Sequence, residues 1–120
     1  RHPDLAVMAG DLEQALAGKF YILVLFGSRA SGKEKQYSDV DLLLITPSRT
    51  MSEEYEATVN KTMELSPLEA DVKVVTADDF EKMLNQRHSV GREAFENGIV
   101  LFGAEQYYAM VKRHAQTKGL

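Results

Sequence analysis

Cysteine is absent from the 120 residues. That removes disulfides, thiol nucleophiles and thiolate metal sites together, and it suits a reducing compartment. A basic excess is missing too: 14 lysines and arginines face 18 acidic residues, for a net charge of −4. Proteins that grip long nucleic acids show a basic surplus or stripe. Here the one basic cluster, Lys112, Arg113, His114 and Lys118, is terminal. This argues against a long nucleic-acid substrate but not against a single nucleotide, whose charge can be met by metal ions and a few amides. The longest apolar run, residues 20–26, is far too short to span a bilayer. No signal peptide is visible, although Arg1 in place of Met points to a trimmed start. The expected location is the cytoplasm, with no membrane partner.

What is present reads as one domain over residues 1–120. That length buries one core and leaves little room for a separate substrate domain. Leu5, Met8, Leu12, Ala15 and Leu16 recur at helical spacing, predicting a helix over residues 4–18 that stops at Gly18. Residues 20–26 form a continuous apolar run of strand length, as expected of a buried central strand. Ser28 is a natural N-cap for a short helix to about Gly32, and residues 33–38 read as a loop. A second strand follows over 39–46. A helix then opens at Ser52 and runs to about Leu65, with Glu53 and Glu54 suited to its first turn. Residues 68–76 read as a third strand. The pattern then predicts a helix from about Thr76 to Arg87, a second over 91–97 capped by Gly98, a short strand over 99–102 and a last helix over 104–118. No repeat, low-complexity tract or linker interrupts this alternation of strands and helices.

Two local patterns carry chemistry. In the first, the apolar strand ends in Gly27-Ser28-Arg29 and a helix follows. A helix N-terminus offers free amides and the positive end of a dipole, and glycine lets an anion approach the backbone, so this turn can grip phosphates. A plain strand-to-helix turn with a serine cap fits the same residues. In the second, Ser38-Asp39-Val40-Asp41-Leu42 opens the second strand, ten residues beyond Ser28. Residues two apart in a strand share a face, so Asp39 and Asp41 project together. Two such charges repel unless a divalent cation lies between them, and Mg²⁺ favours one or two carboxylates plus substrate phosphates. Solvated carboxylates at an exposed strand end are the plainer alternative. Asp71, beside the apolar body of the third strand, is the third candidate; Glu69 shares its face and competes for that role. If strands two and three pair, three carboxylates on neighbouring strands could hold two metal ions for phosphoryl transfer. Added Mg²⁺ and nucleotide would then raise the melting temperature by mass action.

These residues resemble a known signature. Leu25-Phe26-Gly27-Ser28-Arg29-Ala30-Ser31-Gly32 followed by Ser38-Asp39-Val40-Asp41-Leu42-Leu43-Leu44-Ile45 is similar to the DNA polymerase beta nucleotidyltransferase superfamily, and most of all to its minimal nucleotidyltransferases. The likeness extends to the Asp71 strand and to Gly98-Ile99-Val100-Leu101-Phe102. It implies an α+β fold, a mixed β-sheet flanked by helices, and two-metal catalysis with Mg²⁺, or Mn²⁺ in its place. It implies that Gly27 and Ser28 hold the β- and γ-phosphates and that Arg29 touches phosphate or braces the loop. Asp39 and Asp41 bind the metals that grip the triphosphate. Asp71 helps hold the catalytic metal and makes the acceptor hydroxyl more nucleophilic. The implied reaction moves a nucleoside monophosphate, with ATP the favoured donor, to a hydroxyl. Such domains often occur beside an all-helical HEPN partner as antitoxin and toxin, and some adenylylate a tyrosine of that partner. A separate HEPN chain is therefore what the resemblance implies here.

Other functions compete. A binding module could neutralise a helical partner by occlusion alone. An aminoglycoside-type nucleotidyltransferase would need a further helical domain, or a homodimer in its place. Lys73 shares a face with Asp71 and could pair with a carboxylate or phosphate, though a strand-end charge in water is the ordinary expectation. Asp78 and Asp79 read as helix-start residues, His88 as exposed, and His2 and His114 as lacking metal-ligand spacing. Tyr107 and Tyr108 are expected to serve packing.

Overall fold

Helices cover both faces of a four-stranded sheet, which is why its two central strands, β1 (Ile22–Phe26) and β2 (Val40–Thr46), are almost wholly apolar. The computed structural model describes residues 3–27, 40–66 and 68–118. Around β1 and β2 the chain runs through α1 (Pro3–Ala15), α2 (Arg49–Met63), β3 (Ala70–Thr76), α3 (Ala77–Met83), α4 (Val90–Asn97), β4 (Ile99–Phe102) and α5 (Ala104–Lys118). The strand order is β3-β2-β1-β4. β1 is antiparallel to β2 and β4, whereas β2 and β3 are parallel and joined through α2. The sheet is therefore mixed and helix-flanked, as expected.

Side-chain alternation splits the core into two layers. Leu23, Leu25, Val40, Leu42 and Leu44 face Met8, Leu12 and Leu16 of the first helical segment and Tyr55 and Val59 of α2. Ile22, Val24, Phe26, Leu43 and Ile45 face Phe80, Leu84, Ala94, Tyr107 and Met110 on the other side. Tyr55 is fully buried, and its hydroxyl donates to the Phe20 carbonyl at 2.6 Å, tying α2 to the entry of β1.

Several boundaries differ from expectation. β1 starts at Ile22, and Phe20 is exposed. α2 starts at Arg49 with Ser48 at its N-cap, so Glu53 and Glu54 fall outside the first turn. Pro47 ends the strand and the chain turns into helix at once. The Ser52 hydroxyl is then spent inside the helix, donating to the Ser48 carbonyl at 3.2 Å. α3 stops at Met83 rather than near Arg87. Its last carbonyls are taken by the next segment: Ser89 Oγ donates to Met83 O at 2.7 Å and Arg92 to Leu84 O at 2.8 Å. Gly98 follows α4 in extended backbone rather than a left-handed cap. A Cβ there would meet Val24 Cγ1 at 2.6 Å and collide with the Ala94 carbonyl. The short helix expected after Ser28 and the loop over 33–38 lie outside the described residues.

Two predictions follow from this packing. Tyr55→Phe keeps the ring but orphans the Phe20 carbonyl, so it should lower unfolding free energy by about 1 kcal/mol; urea unfolding measures this, and an unchanged midpoint would contradict it. Burial pushes the phenols of Tyr21 and Tyr107 up to about 12, assisted by the charges of Glu13 and of Tyr108 respectively. Below the ordinary value of 10.0 both folded and unfolded chains keep these protons. Above it only the unfolded chain releases them, so stability should fall as pH rises from about 10 to about 12. Ultraviolet phenolate titration of the folded protein should show a late phase that shrinks in Tyr21→Phe and in Tyr107→Phe.

Candidate active site

The candidate site lies where β1 ends and β2 and β3 begin. β1 pairs antiparallel with β2, so Phe26, the last residue of one, stands opposite Asp41, the second residue of the other. β3 pairs parallel with β2 in unbroken register from Val40↔Ala70 to Thr46↔Thr76, which puts Asp71 opposite Asp41. Alternation sends Val40 and Leu42 to the α1/α2 layer, so Asp41 belongs to the other face, with Leu43 and Ile45. Asp71 and Lys73 share that face of β3 with Val75. Neighbouring strands lie about 4.8 Å apart, so the two carboxylates can reach a common ion.

Gly27 closes one side of this pair. Its φ is +78°, a backbone conformation that favours glycine. A Cβ at this position would collide with Asp41 Oδ2 and stand 3.1 Å from Asp41 Cγ. The glycine is thus required twice, for the turn and for the space that the Asp41 carboxylate occupies. Asp71 is more open, with about half of its side chain exposed. Its Oδ2 accepts from Lys73 Nζ at 2.9 Å.

Of the residues predicted from sequence, the structure brings Gly27, Asp41 and Asp71 to one place. Ser28, Arg29 and Asp39 lie outside the described residues. Glu69, the competing third carboxylate, precedes β3, and its carbonyl accepts from Val40 N at 3.0 Å. Asp71, not Glu69, is the register partner of Asp41. Lys73, read as a strand-end charge in water or a partner of a carboxylate, does pair with Asp71 while staying about half exposed. The signal was its spacing of two, which puts both side chains on one strand face.

Other expectations divide. Asp78 and Asp79 do start a helix: both lie in the first turn of α3, whose cap is Thr76 Oγ1 accepting from Asp79 N at 3.0 Å. His88 is exposed. Tyr107 is buried among core residues, but Tyr108 is 62% exposed, so only the first serves packing fully. His114 is buried, with Nδ1 3.9 Å from Glu81 Oε1, and so adds nothing to a basic surface beside Lys112 and Arg113.

Among the described residues no group of three or more His, Asp or Glu side chains is placed to hold a metal ion. The two that converge, Asp41 and Asp71, are hard oxygen donors of the kind Mg²⁺ selects. The Lys73 ammonium already occupies one of those oxygens as a cation. This donor set fits a divalent ion.

A family model for the nucleotidyltransferase domain matches residues 14–101, which run from the end of α1 to β4 and include Gly27, Asp41 and Asp71. The chain belongs to the nucleotidyltransferase domain family. Comparison with curated proteins finds no match. Among solved structures the domain is similar to a toxin-antitoxin crystallised with AMP-PNP: TM-score 0.56 and 16% identity, over 98% of this chain and 88% of that one. It also matches a mutant of the toxin-antitoxin MntA-HpeT at TM-score 0.49 and 12% identity, again over 98% and 88%. The first likeness supports the same fold for the nucleotidyltransferase domain.

The glycine requirement gives a direct prediction. Gly27→Ala combines left-handed backbone with a collision against Asp41 and should cost at least about 1–2 kcal/mol. Gly10→Ala, in α1 with open space around it, should instead be neutral or stabilising by up to about 1 kcal/mol. Comparable unfolding midpoints for the two variants would contradict the packing described.

Proposed function

We propose that this nucleotidyltransferase domain is catalytic and moves AMP from ATP to a hydroxyl group. The observation that carries this reading is the register of Asp41 with Asp71 beside Gly27. In this reading Gly27, Ser28 and Arg29 hold the triphosphate, and Asp39, Asp41 and Asp71 hold Mg²⁺, two ions in full, with Mn²⁺ able to replace it. A divalent cation bound there supplies positive charge to the triphosphate and to the developing charge of the transition state. The chain's own residues orient the reactants. Gly27 leaves room for the Asp41 carboxylate and keeps the turn close to the phosphates. Asp71, half exposed on the outermost strand of the sheet, faces the side from which an acceptor can approach. The acceptor oxygen attacks the α-phosphorus, the bond to the departing pyrophosphate breaks, and the hydroxyl proton passes to the Asp71 carboxylate and on to solvent.

The acceptor that this reading favours is a tyrosine of a separate helical partner of the HEPN type, which would make the chain an antitoxin. The likeness to a toxin-antitoxin crystallised with AMP-PNP supports that choice.

The test is transfer of labelled AMP from ATP to a co-purified partner in the presence of Mg²⁺. Asp41→Asn and Asp71→Asn should each reduce transfer at least about a hundredfold, in the range lost when a group that stabilises the transition state is removed. Asp79→Asn should leave it unchanged. Equal loss from all three, or transfer that persists in excess chelator, would overturn the proposal.

A further inference from the structure

Asp41 and Asp71 are like charges on adjacent strands, opposite each other and on one face of the sheet. Such a pair repels, and partial removal from water makes the repulsion worse. A cation beside Asp71 eases that repulsion. Lys73 is placed to supply it. It stands two residues beyond Asp71 on the same face, in register with Leu43, and its Nζ lies 2.9 Å from Asp71 Oδ2. The side chains of both partners are about half exposed, 47% for Lys73 and 51% for Asp71, so the contact is open to exchange rather than locked into the core.

We propose that Lys73 is a positioning residue that stands in for the divalent cation. It holds the Asp71 carboxylate in place in the metal-free protein and competes with the incoming ion for Oδ2. This rests on the proposed metal site. The ammonium and the ion are both cations, and the same carboxylate oxygen cannot hold both closely without their repelling each other. Lys73 thus keeps the two-carboxylate arrangement intact before metal arrives and raises the ion concentration needed to displace it. The domain would resist loading by metal alone and favour loading when a triphosphate brings its own negative charge.

The experiment is titration of the nucleotide-free protein with Mn²⁺, read by electron paramagnetic resonance as the free ion disappears. Lys73→Met should tighten Mn²⁺ binding about threefold, the size expected when a half-exposed ion pair is removed. Lys73→Arg, which keeps a cation on the strand, should restore the wild-type Kd. Arg49→Met removes a cation at the opposite end of β2, where Arg49 pairs with Asp79 at 3.3 Å, and should leave the Kd unchanged. Equal tightening in Lys73→Met and Arg49→Met would reduce the effect to net charge and overturn the proposal. So would an unchanged Kd in Lys73→Met. Asp71→Asn separates the two levels: if it binds Mn²⁺ as tightly as wild type, the metal site itself is wrong. If it binds weakly while Lys73→Met matches wild type, the site stands and only the role of Lys73 fails.

Discussion

The parallel ladder between β2 and β3 sets Asp41 and Asp71 side by side. Seven consecutive residue pairs, from Val40↔Ala70 to Thr46↔Thr76, lock the two strands together. Because side chains alternate with a period of two, a slip of one residue would turn Asp71 toward the α1/α2 layer and leave Asp41 without its neighbour. Burial on the α1/α2 side enforces the register: Val40, Leu42 and Leu44 are fully buried there, with Ala70, Val72 and Val74 packed against the same cluster. Such a slip of β3 would drive Asp71 and Lys73 into that apolar layer. The apolar core thus fixes the positions of the two carboxylates, although it touches neither role directly.

A second constraint comes from the antiparallel pairing of β1 with β2. It carries the chain from Phe26 into the turn at Gly27, directly beside Asp41. Gly27 and the acidic face therefore meet at one end of the sheet. The repulsion built into this face is the electrostatic counterpart of the packing. Lys73 pairs with Asp71 on that face, and we propose that this eases the repulsion until a divalent ion arrives with nucleotide.

Most of the architecture was legible in the sequence because the apolar periods were unambiguous. The runs over β1 and β2 read as buried strands and are so, and Asp71, preferred to Glu69 because it adjoins an apolar body, is the register partner of Asp41. Helix ends were less legible where two candidate caps stood close together. Ser48 and Ser52 are both serines followed by helix formers, and what selects the earlier one is Pro47 ending the strand. The early end of α3 depends on Ser89 and Arg92 reaching back to its carbonyls, contacts between segments that no local pattern contains. His114 looked like part of a basic terminal cluster, yet the turn of α5 carries it into the core beside Glu81. Tyr107 and Tyr108 are neighbours in sequence and their rings meet edge to face, yet only the first is buried, because one residue along a helix is a rotation of about 100°. Lys73 was visible as a charge on the right face. It pairs with Asp71 while staying half exposed, so both readings of it hold in part.

The central claim is that Asp41 and Asp71 share a divalent ion. Its most direct test is a crystal of the protein grown with Mn²⁺ and a non-hydrolysable ATP analogue, with the ion located by anomalous scattering. The account predicts a peak within about 2.2 Å of carboxylate oxygens from both residues, with Lys73 displaced from Asp71. A peak bound by other residues, or none at this face while Lys73 still holds Asp71, would contradict it.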